Sequence, residues 1–378
     1  MKNKKKADRI FVVFVAVLSI VLFLIPTGFE NPFLRSLTER APARVIAVNN
    51  EDLQKHGIIL TGTQVLDVKI LSGVFRGDTL KARNVLIGQM SIDNIFIEGD
   101  KVLTVLKTDK ETGKISSARA DSLYRINVEV ILLVLFGLFL VYFAGWTGLR
   151  ALISFIFTAL VIWKVLIPLF LKGFPPLPLS FFIVSFISIV IIILITGFER
   201  KGAVALAGTI SGIGITALLA VIFGHFFRVP GTVKEFSEML LYAGFIDLNL
   251  TDIFIAGIFI SATGAVMDVA MDIAASQQEV VFKHPDITSR ELISSGFRVA
   301  KPVIGTMTTT LLFAYSGSFT FVMMMFMSKG TPMVHIFNVK YIAAEILKTL
   351  VGSFGLVLVA PATAILGGYI YTYKNKIN

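Results

Sequence analysis

The sequence predicts an α-helical polytopic membrane protein of about eight transmembrane helices, carrying a small extracytoplasmic β-rich, barrel-like domain. Three observations lead there. Of 378 residues, 55% are hydrophobic and only 16% charged, with a mean hydropathy of +0.81, whereas a soluble protein carries about 25% charged residues. Eight apolar runs are each long enough to cross a bilayer. One polar segment, residues 30–126, interrupts them with the period-two alternation of strands.

The apolar runs fall at residues 10–28, 128–146, 149–171, 179–198, 203–223, 253–275, 303–327 and 350–371. A helix rises about 1.5 Å per residue, so about 20 residues span a hydrocarbon core of about 30 Å, and a helix satisfies its own backbone there. The chain therefore divides into a basic tail and first anchor (1–29), the β-rich domain (30–126) and a helical domain with seven further crossings (127–378). The first run follows Lys2, Lys4, Lys5, Lys6 and Arg9. Ile25-Pro26-Thr27-Gly28 is a poor cleavage site and Ala41-Pro42-Ala43 lies too far downstream, which favours an uncleaved anchor.

With the amino terminus inside, the inner loops hold 14 Lys and Arg residues and the short outer loops hold 5. That asymmetry places both termini in the cytoplasm. The basic residues of the 30–126 segment are left out, because a long translocated domain crosses largely regardless of charge. The formal charge of +10 is thus an orientation signal, with the lipid bilayer as the partner and no nucleic acid implied.

Within the polar segment, strands are expected at residues 43–48, 64–71, 80–87, 91–97 and 101–106, separated by turn signals at Arg76-Gly77-Asp78 and Glu98-Gly99-Asp100. About five short strands in under a hundred residues suggest a barrel of the OB or SH3-like kind. Two capping boxes predict amphipathic helices lying on the membrane. Outside, Thr232-x-x-Glu235 precedes Phe236, Met239, Leu240 and Ala243, with Gly244 as a stop. Inside, Thr288-x-x-Glu291 precedes Leu292, Ile293, Gly296, Phe297 and Ala300, ended by Pro302.

Zero cysteines exclude disulfides, thiolate metal sites and cysteine nucleophiles. His56, His225, His284 and His335 show no metal-binding spacing. No metal, cofactor or catalytic residue is expected, and the remaining chemistry is that of carboxylates, hydroxyls and backbone.

The sixth run is the most informative. Gly257, Ser261, Gly264, Ala265, Asp268 and Asp272 recur at spacings of three and four, sharing one helix face, with Thr263 beside them. Small residues there would admit a neighbouring backbone and turn the carboxylates inward, away from lipid. Asp268 then reads as a proton- or cation-coupled carboxylate, or as a packing aspartate satisfied by hydroxyls. Asp272, near the cytoplasmic end, reads more simply as solvated.

In the seventh run, Gly305, Thr306, Thr308, Thr309 and Ser316 supply glycine and hydroxyls that would face those carboxylates as a polar seam; the alternative is that the threonines bond their own helix. Gly208 and Gly212 in the fifth run form a packing surface, not a phosphate loop, because no Lys-Ser/Thr follows. Lys164 either snorkels or meets an inward carboxylate, and Glu345 with Lys348 reads as an interfacial pair. The methionines from 323 to 327 read as apolar filler.

The segments Gly264-Ala-Val-Met-Asp268-Val-Ala-Met-Asp-Ile-Ala-Ala-Ser and Ser295-Gly-Phe-x-x-Ala-Lys-Pro-Val-Ile-Gly305-Thr-Met-Thr-Thr-Thr-Leu-Leu-x-Ala-Tyr315-Ser-Gly resemble the YibE/F family of bacterial multipass membrane proteins, over nearly the whole chain. The resemblance implies a bacterial inner-membrane location and marks Asp268 and the Gly305-Thr-Met-Thr segment as motif positions; it specifies no reaction. Thr309 stands where the family often has asparagine, and Asp272 where a small polar residue is usual.

Two functions are expected from this reading. One is a transporter or permease with Asp268 as titratable centre and Thr306, Thr308 and Thr309 lining the path. The other is a membrane scaffold or sensor whose domain at 30–126 binds an envelope component. An intramembrane hydrolase ranks behind both, since no catalytic pairing is legible.

Overall fold

A computed structural model describes residues 2–29, 38–109 and 113–373. The basic residues Lys374 and Lys376, and residues 30–37 of the polar segment, lie outside them. The chain forms two compact units, Met1–Thr27 with Leu140–Asn378, and Gly28–Phe139.

The smaller unit is built on strands β1 (Thr38–Asn49), β2 (Leu53–His56), β3 (Ile59–Ile70), β4 (Thr79–Ile87), β5 (Lys101–Thr108) and β6 (Ile115–Leu123). The order β1-β5-β6-β4-β3 closes through a β1–β3 pairing, with β2 a short hairpin flank on β3. The β4–β6 contact is parallel and the other pairings are antiparallel. Leaving out the flank, the order is first, fourth, fifth, third, second and back to first. This is the closed five-stranded arrangement of an OB barrel. Alternate residues point inward, so Ala41, Ala43, Val45, Leu66, Val68, Ile70, Val102 and Leu106 form its core.

One strand expectation fails here, and two strands, β2 and β6, are found where none is expected. Residues 91–97 are not a strand. Asp93 accepts the backbone N–H groups of Ile87, Gly88 and Gln89, while Gln64 pairs with both backbone groups of Phe96 and Asn84 donates to the Asn94 carbonyl. Side chains thus replace a ladder, and Phe96, fully buried, plugs the barrel. The missed strand β6 carries Ala118 and Ala120 at its inward positions, too small to give a strong alternation signal.

Seven helices among the described residues are long and apolar enough to cross a membrane. They are α1 (Lys2–Leu24), α2 (Ile126–Val161, continued by a π turn and α3, Ile167–Leu171), α4 (Pro176–Thr196), α5 (Arg200–Phe227), α7 (Leu250–Lys283), α8 (Ser289–Ser328) and α10 (Lys340–Tyr373). Short helices α6 (Ser237–Tyr242) and α9 (Met333–Asn338) lie in connections. The runs at 128–146 and 149–171 share one helical stretch, Ile126–Leu171, broken at Gly145, whose φ of 55° and ψ of −130° no α-helical residue adopts.

In the larger unit α7 is central. Its broad face of Ala256, Phe259, Val266, Val269, Ala270 and Ile273 packs with Ile213 of α5 and with Leu356, Val359, Ala360 and Ala364 of α10. The closest approaches use glycine. A Cβ at Gly208 would fall on the Thr363 side chain, and one at Gly212 would lie 2.6 Å from Val266 and 2.8 Å from Val359, so both act as the expected packing residues. Gln277 ties the bundle by donating to the Ala364 and Leu292 carbonyls. Lys164 meets no carboxylate among the described residues; it donates to the Ile25 carbonyl just after α1, over the Trp163 ring.

The capping boxes divide. Thr288 and Glu291 form theirs as read, but Pro302 does not end the helix, which runs on to Ser328. A proline inside a membrane-type helix is tolerated where neighbours and side chains take over the freed carbonyls. Consequently Leu292, Gly296 and Ala300 are buried in the bundle, not laid on a membrane surface. At the other box Thr232 falls in a 3-10 turn, and α6 starts from Phe236 with no side-chain cap.

Candidate functional site

The residues that come together lie at one end of α7, α8 and α10. Glu345 shares a face of α10 with Ile342, Thr349, Gly352 and Leu356, all buried, so its carboxylate is carried into the bundle with 3% of its side chain exposed. Lys234, from the turn before α6, reaches it at 2.5 Å, and the Ser318 hydroxyl of α8, which donates to the Tyr315 carbonyl at 2.7 Å, is shared with its other oxygen at 3.2 Å. Lys348, one turn along α10, stands 3.8 Å from that second oxygen and 4.5 Å over the Tyr315 ring. Tyr315 in turn donates to Ser261 of α7 at 3.3 Å.

This is not a surface pair. The sequence reading placed Glu345 and Lys348 at an interface; the structure makes Glu345 the buried member of a network of six side chains from four segments. A carboxylate at that depth persists only when paired and hydrogen-bonded, and here both oxygens are engaged. The network borders a cavity of about 390 Å³, lined by Lys234, Ser237, Phe254, Gly257, Ser261 and Lys348 among others. Volumes of about 300–1,000 Å³ are usual for small-molecule sites. Phe236, also on the lining, holds a left-handed backbone with φ of 61°, a strained conformation for a bulky residue.

The expected polar seam is only partly assembled. Thr306, Thr308 and Thr309 return their hydroxyls to their own helix at Pro302, Ile304 and Gly305, and Ser316 bonds Phe313. Thr263 bonds Phe259 on the packed side of α7. Among the described residues, the hydroxyl link between α7 and α8 is Tyr315 to Ser261, which the sequence reading did not single out.

The inward turn of the small-residue face is corrected as well. Gly257, Ser261, Gly264, Asp268 and Asp272 are exposed on α7, and a Cβ at Gly257, Gly264 or Gly305 would meet nothing within 4 Å. The neighbours of α7 pack instead on its larger apolar residues, with Gly212 of α5 against Val266. Asp268 has no hydrogen-bond or ion-pair partner among the described residues. The stripe nevertheless has a direction: Gly257 and Ser261 line the cavity, and Gly264, Asp268 and Asp272 continue along the same face, a turn apart. Among the described residues no group of three or more His, Asp or Glu side chains could hold a metal ion.

No curated protein and no solved structure is matched by the chain. A family model described as YibE/F-like protein matches residues 132–373, the helical part from within α2 onward, leaving the basic anchor and the barrel outside the matched segment. The match includes every residue of the buried network and the stripe below it, and the chain belongs to the YibE/F-like family.

Proposed function

We propose that the chain is a permease-like transporter of the bacterial cytoplasmic membrane, with both termini in the cytoplasm, the barrel on the outer side, and an intramembrane carboxylate in its path. The observation that carries this reading is the cavity itself. Its wall carries Lys234 and Lys348, the two lysines that flank the buried carboxylate of Glu345, and its lining residues Gly257 and Ser261 begin the exposed stripe of α7 on which Asp268 and Asp272 follow. In that reading Glu345, held by Lys234 and Lys348, is the outer station, and the Tyr315–Ser261 bond is the constriction beneath it. Asp268 is the inner station.

The test is flux of protons and organic ions in proteoliposomes. Glu345→Gln and Asp268→Asn are each expected to reduce it at least about tenfold, in line with losing a group that carries charge through the path. Parent-level flux in both variants rejects the proposal.

A second reading has its own support. The barrel leaves Ile46, Val85, Ile87, Ile95 and Ile97 between 49% and 66% exposed, large apolar side chains available to a partner. Under this reading the protein is a scaffold or sensor that binds an envelope component. Deleting residues 30–125 separates the two: a transporter core retains flux, whereas a scaffold loses its partner.

A further inference from the structure

Lys348 is a partly buried ammonium, 22% exposed, on the wall of the cavity. It makes no hydrogen bond among the described residues. The Glu345 oxygen it pairs with is 3.8 Å away and also meets the shared hydroxyl of Ser318, while the opposite oxygen holds Lys234 more tightly. Two ammonium groups therefore share one carboxylate inside the site. The remaining charge on the lining, Glu235, is exposed and unpaired among the described residues, so solvent screens it.

The cavity's hydroxyls cannot serve a ligand as free donors: Ser237 donates to the Lys234 carbonyl and Ser261 to that of Ile258. The rest of the wall is chiefly apolar, with Leu250, Ile253, Phe254 and Ile258. An excess positive charge with unused donors, set in an apolar chamber, calls for a counter-anion that brings an apolar body with it.

From this arrangement we infer that the cavity binds an amphiphilic monoanion, its carboxylate or phosphate head on Lys348 and Lys234 and its apolar part against Phe254 and Ile258. The inference rests on the transport reading only for the ligand's fate, since binding is measured without flux. A single net positive charge favours one negative charge over two.

The experiment uses the full-length chain in phosphatidylcholine nanodiscs, titrated calorimetrically with decanoate, decyl phosphate, decanol and inorganic phosphate. Decanoate and decyl phosphate are expected to bind at least about tenfold more tightly than decanol or inorganic phosphate. Lys348→Met should weaken decanoate binding roughly tenfold or more, and Glu345→Gln, which adds one net positive charge, should strengthen it. The opposite signs separate charge recognition from loss of fold. Equal binding of decanol and decanoate, or weaker binding in Glu345→Gln, overturns the inference.

Adding phosphatidylglycerol to the nanodisc identifies the source. Competition with decanoate points to a lipid head group, and its absence to a free amphiphile. Anion binding without flux leaves this inference standing and sinks the transport reading, whereas flux of a cation with no anion binding does the reverse.

Discussion

Lys234→Met probes the charge cluster most directly. At an effective dielectric of about 20, unit charges at the observed 2.5 Å attract by about 6–7 kcal/mol before desolvation is subtracted. Stripping one partner from a buried pair costs about 3–5 kcal/mol, because the other charge is left behind. Here Lys348 and Ser318 still attend Glu345, and Lys234 is 38% exposed, so the expected loss is smaller, about 2–3 kcal/mol. Glu345→Gln removes the buried charge while keeping an acceptor for Ser318, and both lysines retain some exposure, so it should cost only about 1 kcal/mol.

The double variant should resemble Glu345→Gln alone, leaving a coupling of about 2–3 kcal/mol, equal to the loss from Lys234→Met. Unfolding of all four proteins in mixed micelles, followed by circular dichroism, measures the cycle. If Lys234→Met costs no more than Glu345→Gln, or if the two losses simply add, Glu345 is not a charge buried on behalf of Lys234 and the account of the network fails.

Other expectations follow from packing. Gly212→Ala should cost about 1–3 kcal/mol, since its Cβ falls on Val266 and Val359. Gly264→Ala should be neutral or stabilise by up to about 1 kcal/mol through helix propensity, there being nothing within 4 Å. The same unfolding assay ranks the pair. Phe96→Ala should cost the barrel about 3–5 kcal/mol, read as loss of protease resistance in the 38–123 region, because a fully buried ring is removed from its plug. Thr288→Ala breaks one half of the capping box on α8 and should cost about 1 kcal/mol, whereas Thr232→Ala, which caps nothing, should cost almost none.

Much of this architecture is legible in the chain because the signals are local. Apolar runs announce helices, the strands β1, β3, β4 and β5 alternate, and Thr288 with Glu291 sits three residues apart at a true helix start. The buried network is different. Lys234 and Glu345 are separated by 111 positions, and Glu345 beside Lys348 looks like an ordinary surface pair. The signal available was the period: Ile342, Glu345, Thr349, Gly352 and Leu356 recur at three and four, so the carboxylate lies on the apolar face of its helix. The small-residue stripe on α7 shows the converse limit. Glycine at such spacing permits close packing, as at Gly208 and Gly212, and equally permits an open face, as at Gly257 and Gly264. Only the large residues on the opposite side of α7, and what packs on them, decide between the two.

That open face carries an energetic demand. An ionised aspartate against acyl chains costs about 2.5–3.5 kcal/mol at the centre of a membrane helix, and no described side chain offsets the cost at Asp268, so the transport reading requires the stripe from Gly257 to Asp268 to be wet. The chain contains no cysteine, so a single introduced thiol reports its own surroundings. Three positions suffice: Gly264→Cys on the stripe, Leu218→Cys on the 60%-exposed apolar surface of α5, and Ala270→Cys in the core, where exposure is 0%. A charged methanethiosulfonate needs both water and thiolate, and apolar surroundings suppress the thiolate. Gly264→Cys should therefore react on the order of tenfold faster than Leu218→Cys in intact vesicles, with Ala270→Cys inert. If Gly264→Cys instead matches Leu218→Cys, reacting only with a lipophilic maleimide, the stripe faces lipid. Asp268 then has no hydrated route to the cavity, and the path through Ser261 and Tyr315 leads nowhere.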